Sequence, residues 1–245
     1  MTNSGTKLGV VEFENVSLAI EQGHQLFSGV SFSLGAGSLN FVTGRSGSGK
    51  SALLQLMAGA CQSWGGRIKI FQEELRQGDK EQLRKLQSRV GVVFQNHRLV
   101  GHLSPRGNLS LPLLIDGVHG DDLDKPISEL LAWLGPEIAD ADAVSALSSG
   151  QKRLLAIARS LVRSPHLVVA DEPTSSLDRG QKFLMLRFLE DLCGLGTTVV
   201  IATTDDELMS QNPYSSRLCI EGGSIYHAQD AELSAASIGI EPSYP

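Results

Sequence analysis

Two short stretches of this chain could do phosphate chemistry. The first is Gly44-Arg45-Ser46-Gly47-Ser48-Gly49-Lys50-Ser51, which fits the pattern GxxxxGK[ST]. A loop of this kind turns its backbone N–H groups inward to hold phosphate oxygens, and glycines at 44, 47 and 49 permit the close approach. Lys50 would reach the β- and γ-phosphates, and the Ser51 hydroxyl would bind Mg²⁺. The second stretch is Leu167-Val168-Val169-Ala170-Asp171-Glu172, four apolar residues followed by two acids. A buried strand that delivers carboxylates at its C-terminal end is how α/β sheets build sites. Asp171 would hold Mg²⁺ through water, and Glu172 would be the base that polarises an attacking water.

The elements around these stretches are those such a site requires. Residues 39–43 read as a strand leading into the glycine-rich loop, and 51–60 as a helix whose positive N-terminus points at the same phosphates. Upstream, 10–18 mix apolar and polar residues at near-strand spacing, and 30–34 alternate with period two. Downstream, 67–71 read as a short strand, 80–87 as a charged helix and 90–94 as a buried strand. The stretch 96–149 changes character, with prolines at 105, 112, 126 and 136 and leucine-rich pieces such as 127–134, and is read as a helical insertion. A helix over 151–162 has apolar positions at Leu154, Leu155, Ile157, Ala158 and Leu161. Buried strands at 167–170 and 197–202 flank a helix over about 179–195, and this alternation implies a largely parallel sheet. Residues 230–245 are small and polar and read as a loose tail.

Composition narrows the class. The 245 residues are 41% hydrophobic and 20% charged, which excludes collagen-like, disordered and disulfide-scaffold chains. No apolar run approaches the roughly 18 residues that span a bilayer, and the N-terminus lacks the apolar core of a signal peptide. Cys61, Cys193 and Cys219 form no CxxC pair and read as reduced thiols. The six histidines show no ligand spacing, and Trp64 and Trp133 read as packing residues. A net charge of -6 is not expected to grip nucleic acid. That charge is uneven: residues 67–98 carry eight bases and four acids, whereas from Asp205 onward there are seven acids and one base.

With these features in order, the chain resembles the nucleotide-binding subunit of ATP-binding-cassette (ABC) transporters over about residues 9–227, leaving 228–245 as a C-terminal tail. Leu147-Ser148-Ser149-Gly150-Gln151 is similar to the family's LSGGQ signature, Val93-Phe94-Gln95 to its Q-loop and Ser176-Leu177-Asp178 to its D-loop. The resemblance implies a P-loop NTPase (RecA-like) α/β core, an N-terminal antiparallel β subdomain and an inserted helical subdomain at about 96–150. It implies ATP held by residues 44–51 with Ala52, an adenine contact at Ile20, and Mg²⁺ at Ser51, Gln95 and Asp171. Ser148 and Gly150, with Gln151 and Asp178 nearby, would contact the γ-phosphate bound by the opposite subunit of an ATP-dependent homodimer. An integral membrane subunit, either of the cell-division type or an exporter permease, would be the partner, which places the chain peripherally on the cytoplasmic face of the inner membrane. The basic segment 67–98 ends at the Q-loop, where the family docks its membrane subunit, and is expected to face that partner. Residues 91–99 followed by 108–113 resemble the cell-division members; the lipoprotein-release and macrolide-export ATPases are close relatives.

Four departures matter. Thr204 stands where the family has a switch histidine, and threonine is shorter and cannot become charged. Loss of such a transition-state contact commonly costs on the order of 3 kcal/mol, about a hundredfold in rate. Ile20 replaces an aromatic ring that stacks on adenine, Leu154 replaces an arginine after the signature, and Ser149 replaces a glycine. Two functions therefore stay open: an ATPase that drives a membrane partner, with Glu172, Gln95 and Thr204 as its catalytic set, or an ATP-dependent scaffold with little turnover. A soluble ATPase acting on DNA or ribosomes is disfavoured, because the chain has neither paired cassettes nor a basic groove.

Overall fold

A computed structural model describes residues 9–19, 25–61, 64–94, 98–210, 212 and 215–228. Two sheets divide the work. The first has the order β2-β1-β4-β5 and consists of β1 (Gly9–Ala19), β2 (Gln25–Gly35), β4 (Gly65–Ile70) and the two-residue β5 (Glu73–Glu74). All its pairings are antiparallel. Its apolar face buries Val11, Phe13, Phe27 and Ile68, with the Phe13 and Phe32 rings stacked at 4.6 Å.

The second sheet has the order β10-β9-β3-β8-β7-β6. Its strands are β3 (Leu39–Gly44), β6 (Val90–Val93), β7 (Leu167–Asp171), β8 (Thr198–Ala202), β9 (Ser216–Glu221) and β10 (Ser224–His227). The five strands β3, β6, β7, β8 and β9 run parallel; β10 alone turns back, antiparallel to β9. The central strands are buried on both faces, so β7 and β8 read as continuous apolar runs rather than alternating ones. Around them sit α1 (Lys50–Met57), α2 (Lys80–Arg89) and α7 (Arg179–Gly194).

Between β6 and β7 the chain builds a helical unit from α3 (Pro105–Ile115), α4 (Asp121–Leu134) and α5 (Pro136–Ala139), then returns through α6 (Ser149–Leu161). Proline at the first position of α3 fits because that N–H has no helical partner, and the Ser104 side chain caps the next free donor at Gly107. Three aspartates in the first turn of α4 complement its dipole. Leu109, Ile127, Leu155 and Ile157 form one core with Val168 and Ile201 of the parallel sheet. Trp133 stacks on Phe188 of α7 at 4.2 Å, and Trp64 is buried in the other core, so both tryptophans pack.

The helices and buried strands anticipated from the sequence occur within a few residues of their expected bounds. The hairpin β9–β10 was not anticipated; its turn, Gly222-Gly223, has φ of 55° and 80°, the left-handed pair that a tight hairpin needs. Residues 230–245 lie outside the described part of the chain.

Four of the bases in the segment 67–98 are paired within the chain. Arg67 pairs with Glu14 and Glu74, Lys69 with Glu12 and Glu14, Lys85 with Glu81, and Arg89 with Glu73. The antiparallel register sets Glu12 opposite Lys69 and Glu14 opposite Arg67, so neighbouring strands neutralise much of the local charge. Burial also raises the Cys193 thiol to about 11, which leaves it inert at neutral pH.

One buried amide fixes the chain entering the helical unit. Asn108 is fully buried; it accepts from the Val100 N–H at 2.8 Å and donates to the carbonyls of Val100 and Ser104. Asn108→Ala should destabilise the protein by about 2–3 kcal/mol, since it strands these backbone groups. Chemical denaturation checks this; an unchanged midpoint would show that water replaces the amide.

Candidate nucleotide site

The glycine-rich loop leaves the C-terminal end of β3 and enters α1. Lys50 is buried, and its ammonium donates to the carbonyls of Gly44 at 2.8 Å and Arg45 at 3.2 Å, wrapping the loop around itself. A Cβ at Gly44 would lie 2.7 Å from the Ile220 carbonyl, and one at Gly49 would strike the Phe27 ring at 2.8 Å. Both residues also have positive φ, of 147° and 103°. Arg45, Ser46 and Gly47 are exposed at the loop tip, where the Ser48 N–H bonds the Arg45 carbonyl at 3.1 Å.

Three observations fit this loop to a polyphosphate with Mg²⁺. The Ser48 hydroxyl is buried without a hydrogen-bond partner among the described residues. The N-cap of α1 is Gly49, which supplies no side-chain cap, and its first turn (Lys50, Ser51 and Ala52) has no acid, so an anion has free N–H donors to meet. Ser51 and Asp171 line one crevice together with Phe94, so a hydroxyl and a carboxylate are available as hard oxygen donors for Mg²⁺.

Glu172 follows Asp171 at the end of β7. Its backbone has φ of 45°, a left-handed conformation that costs a non-glycine residue energy and needs support. Support comes from its N–H, which bonds the Ala202 carbonyl at 2.9 Å, and from its own carbonyl, which accepts from the Ser175 hydroxyl at 2.9 Å. The carboxylate accepts from the Thr203 hydroxyl at 3.3 Å. Thr203 is fully buried and in turn accepts from the Asp205 N–H at 3.0 Å; Asp205 pairs with Lys182. Thr204, at the switch position, is exposed next to this cluster.

The signature residues form a second cluster. Ser148 caps α6: its hydroxyl accepts from the Gln151 N–H at 3.2 Å, and the Gln151 side chain accepts from the Ser148 N–H at 2.9 Å. Asp178 and Gln181 form the same reciprocal pair at the start of α7. Gly150 joins the two caps, since a Cβ there would lie 2.7 Å from the Gln181 side chain and 3.1 Å from the Ser176 carbonyl. Ser148 and Ser149 remain exposed, at a helix N-terminus open to a second molecule. Gln95 and Ile20 lie outside the described residues, though the chain on either side of 95–97 is anchored to α6: Arg153 donates to the Phe94 carbonyl at 2.9 Å and Arg159 to the Arg98 carbonyl at 2.7 Å.

Sequence reasoning missed two residues. Thr203 sits one position before the switch residue and holds Glu172. Arg153 sits one position before Leu154, where the family's arginine is lacking, and supplies a buried guanidinium of its own. Burial lowers its pKa and the nearby Asp171 carboxylate pushes the other way. A groove of about 470 Å³ lies elsewhere, between α4 and α7 at the opposite ends of the strands, lined by Trp133, Phe188 and Leu192 among others. It has no cluster of phosphate-binding groups.

The comparisons with known proteins agree with this geometry. The family model described as ABC transporter matches residues 27–175. The chain belongs to that family, as an ATPase cassette that uses ATP and Mg²⁺. It is 34% identical to the cell division ATP-binding protein FtsE of Escherichia coli K12 over 84% of this chain and 92% of that protein. It is also 34% identical to the ABC transporter ATP-binding protein YtrE of Bacillus subtilis, over 74% of this chain and 79% of that one. Among solved structures, a dimeric post-hydrolysis state of the ATP-binding cassette MJ0796, bound to ADP and Pi, matches with a TM-score of 0.79 at 26% identity, covering 88% of this chain and 96% of that one.

Thr203→Val keeps the packing volume but removes the hydroxyl that holds Glu172. It should lower the phosphate-release rate about tenfold, the cost of roughly one hydrogen bond to a charged group, with ATP affinity within twofold of wild type. Isothermal titration beside a release assay checks both halves; equal losses in rate and affinity would contradict the assignment.

Proposed function

We propose that this chain is an FtsE-like ATPase subunit that serves a membrane partner of the FtsX type. The observation that carries the catalytic part is the row formed by the phosphate loop, Glu172 and Thr203 at the ends of three neighbouring parallel strands. Residues 44–52 bind the triphosphate, and Ser51 and Asp171 hold Mg²⁺, with Gln95 completing its shell. Mg²⁺ supplies neutralisation of the charge on the phosphates. Glu172 accepts the proton of the attacking water, oriented by Thr203. Thr204 occupies the position from which a histidine would donate to the γ-phosphate; as a neutral, shorter donor it leaves turnover slow. Two copies close on two ATP molecules, each presenting Ser148, Gly150 and Gln151 to the nucleotide of the other, with Asp178 at the seam.

The domain limits follow from the same reading: an ATP-binding domain over 9–227, its helical subdomain at about 96–150, and a tail over 228–245. No described helix is long and apolar enough to cross a membrane. The membrane part therefore comes from a second protein, and the chain sits peripherally on the cytoplasmic face of the inner membrane. Likeness to FtsE supports the division partner; likeness to YtrE, a transporter ATP-binding protein, keeps a transporter permease as the alternative, with export the direction we carry forward.

A second reading, an ATP-gated scaffold with little turnover, is favoured by Thr204 alone. Phosphate release distinguishes the two. For the ATPase reading, wild type turns over above background, Glu172→Gln abolishes the release, and Thr204→His raises it about tenfold or more, recovering part of the lost transition-state contact. Background release from wild type, unmoved by Thr204→His, would establish the scaffold instead. Copurification with an FtsX-type protein, against an export permease as control, decides the partner.

A further inference from the structure

Arg153 is buried to 2% exposure, yet among the described residues no carboxylate lies within ion-pair distance of it; Asp171 acts on its charge only from further away. Its guanidinium instead bonds two neutral acceptors on two different parts of the fold: the Phe94 carbonyl at 2.9 Å and the Ser175 hydroxyl at 2.8 Å. A third group, Nε, is buried without a hydrogen-bond partner among the described residues. Burying a cation in this way is costly, and an apolar side chain of similar volume would stabilise the core at least as well. The arrangement therefore calls for a role other than stability.

The connections show what that role is. Arg153 lies one turn into α6, the helix whose N-terminus presents Ser148 and Gly150. Phe94 follows the last residue of β6 and immediately precedes Gln95. Ser175 accepts from Arg153 and donates to the Glu172 carbonyl at 2.9 Å, which helps hold Glu172 in its left-handed backbone. We propose that Arg153 is a positioning residue for hydrolysis: one guanidinium locks the signature helix to the Glu172 turn and to the strand end before Gln95, so that seating of α6 against a second copy is transmitted to the base. The flat, forked guanidinium suits this task because it donates in two directions at once, which a lysine ammonium on a flexible stem does less well. This inference rests on Glu172 being the base.

The test compares Arg153→Met, Ser175→Ala and their double variant with Glu172→Gln in the full chain. It measures kcat, ATP affinity, thermal stability and amide hydrogen exchange over residues 172–178 without nucleotide. The expected result is a kcat lowered about fivefold or more in each single variant, on the scale of one hydrogen bond, with ATP affinity and melting temperature little changed. The double variant should be no slower than the slower single one, because both break one chain of contacts. Exchange at 172–178 should quicken in all three. Unchanged kcat and unchanged exchange would overturn the proposal, as would single effects that multiply in the double variant. Losses of affinity and melting temperature that match the loss of kcat would also overturn it, showing a structural role. If Glu172→Gln abolishes release while Arg153→Met and Ser175→Ala do not alter it, this inference alone fails. If Glu172→Gln keeps full turnover, the assignment of the base fails first.

Discussion

The register of the parallel strands is the constraint on which the rest depends. Val42 of β3 and Asp171 of β7 both pair with Ala202 of β8, so three strands end in one row. The ladder runs one residue further: the Thr203 N–H bonds the Val42 carbonyl and the Glu172 N–H bonds the Ala202 carbonyl. The phosphate loop, the carboxylates and the switch segment therefore leave the sheet side by side. A slip of one residue would turn every side chain of that strand to the other face, moving Val168 and Ala170 out of one core and Val169 out of the other. The double burial of the sheet protects this register, and with it the site.

From this row, local devices set each group. Glycines let the loop close around Lys50, and the uncapped start of α1 leaves donors for phosphate. The strained backbone at Glu172 is held from both sides, by Ala202 and by Ser175, while Thr203 steadies its carboxylate. The signature cluster is built from a different kind of contact, two reciprocal caps meeting at Gly150. Arg153 links that cluster to the catalytic turn. The molecule thus has a sheet-anchored half, to which the proposed reading gives the triphosphate, and a capped, exposed helix end, which suits a surface meant to be met by another copy.

Much of this was legible in the sequence because its signals are local. GxxxxGK[ST] after a strand and an apolar run ending in two acids each report their own neighbourhood. The alternating buried strands gave the sheet its parallel class. Strand order could not be read, since nothing along the chain says that β8 lies between β3 and β7. For the same reason the hydrogen bond from Thr203 to Glu172, 31 residues apart, was hidden. Arg153 carries no local signal either: its partners, Phe94 and Ser175, are 59 and 22 residues away along the chain. The charge around 67–98 needs the fold as well: counting residues along the chain cannot show that Glu12 and Glu14 of β1 lie across from Lys69 and Arg67.

Assembly tests the account most directly, because under the proposed function the site is split between loop and signature and is complete only when two copies meet. Glu172→Gln, which should bind ATP without spending it, is to be sedimented with ATP and Mg²⁺, with ADP, and without nucleotide. The account predicts a shift from monomer to dimer with ATP alone, lost when Ser148 is replaced by arginine while ATP still binds. A chain that binds ATP with Mg²⁺ yet stays monomeric at every concentration, or that dimerises equally without nucleotide, would contradict it.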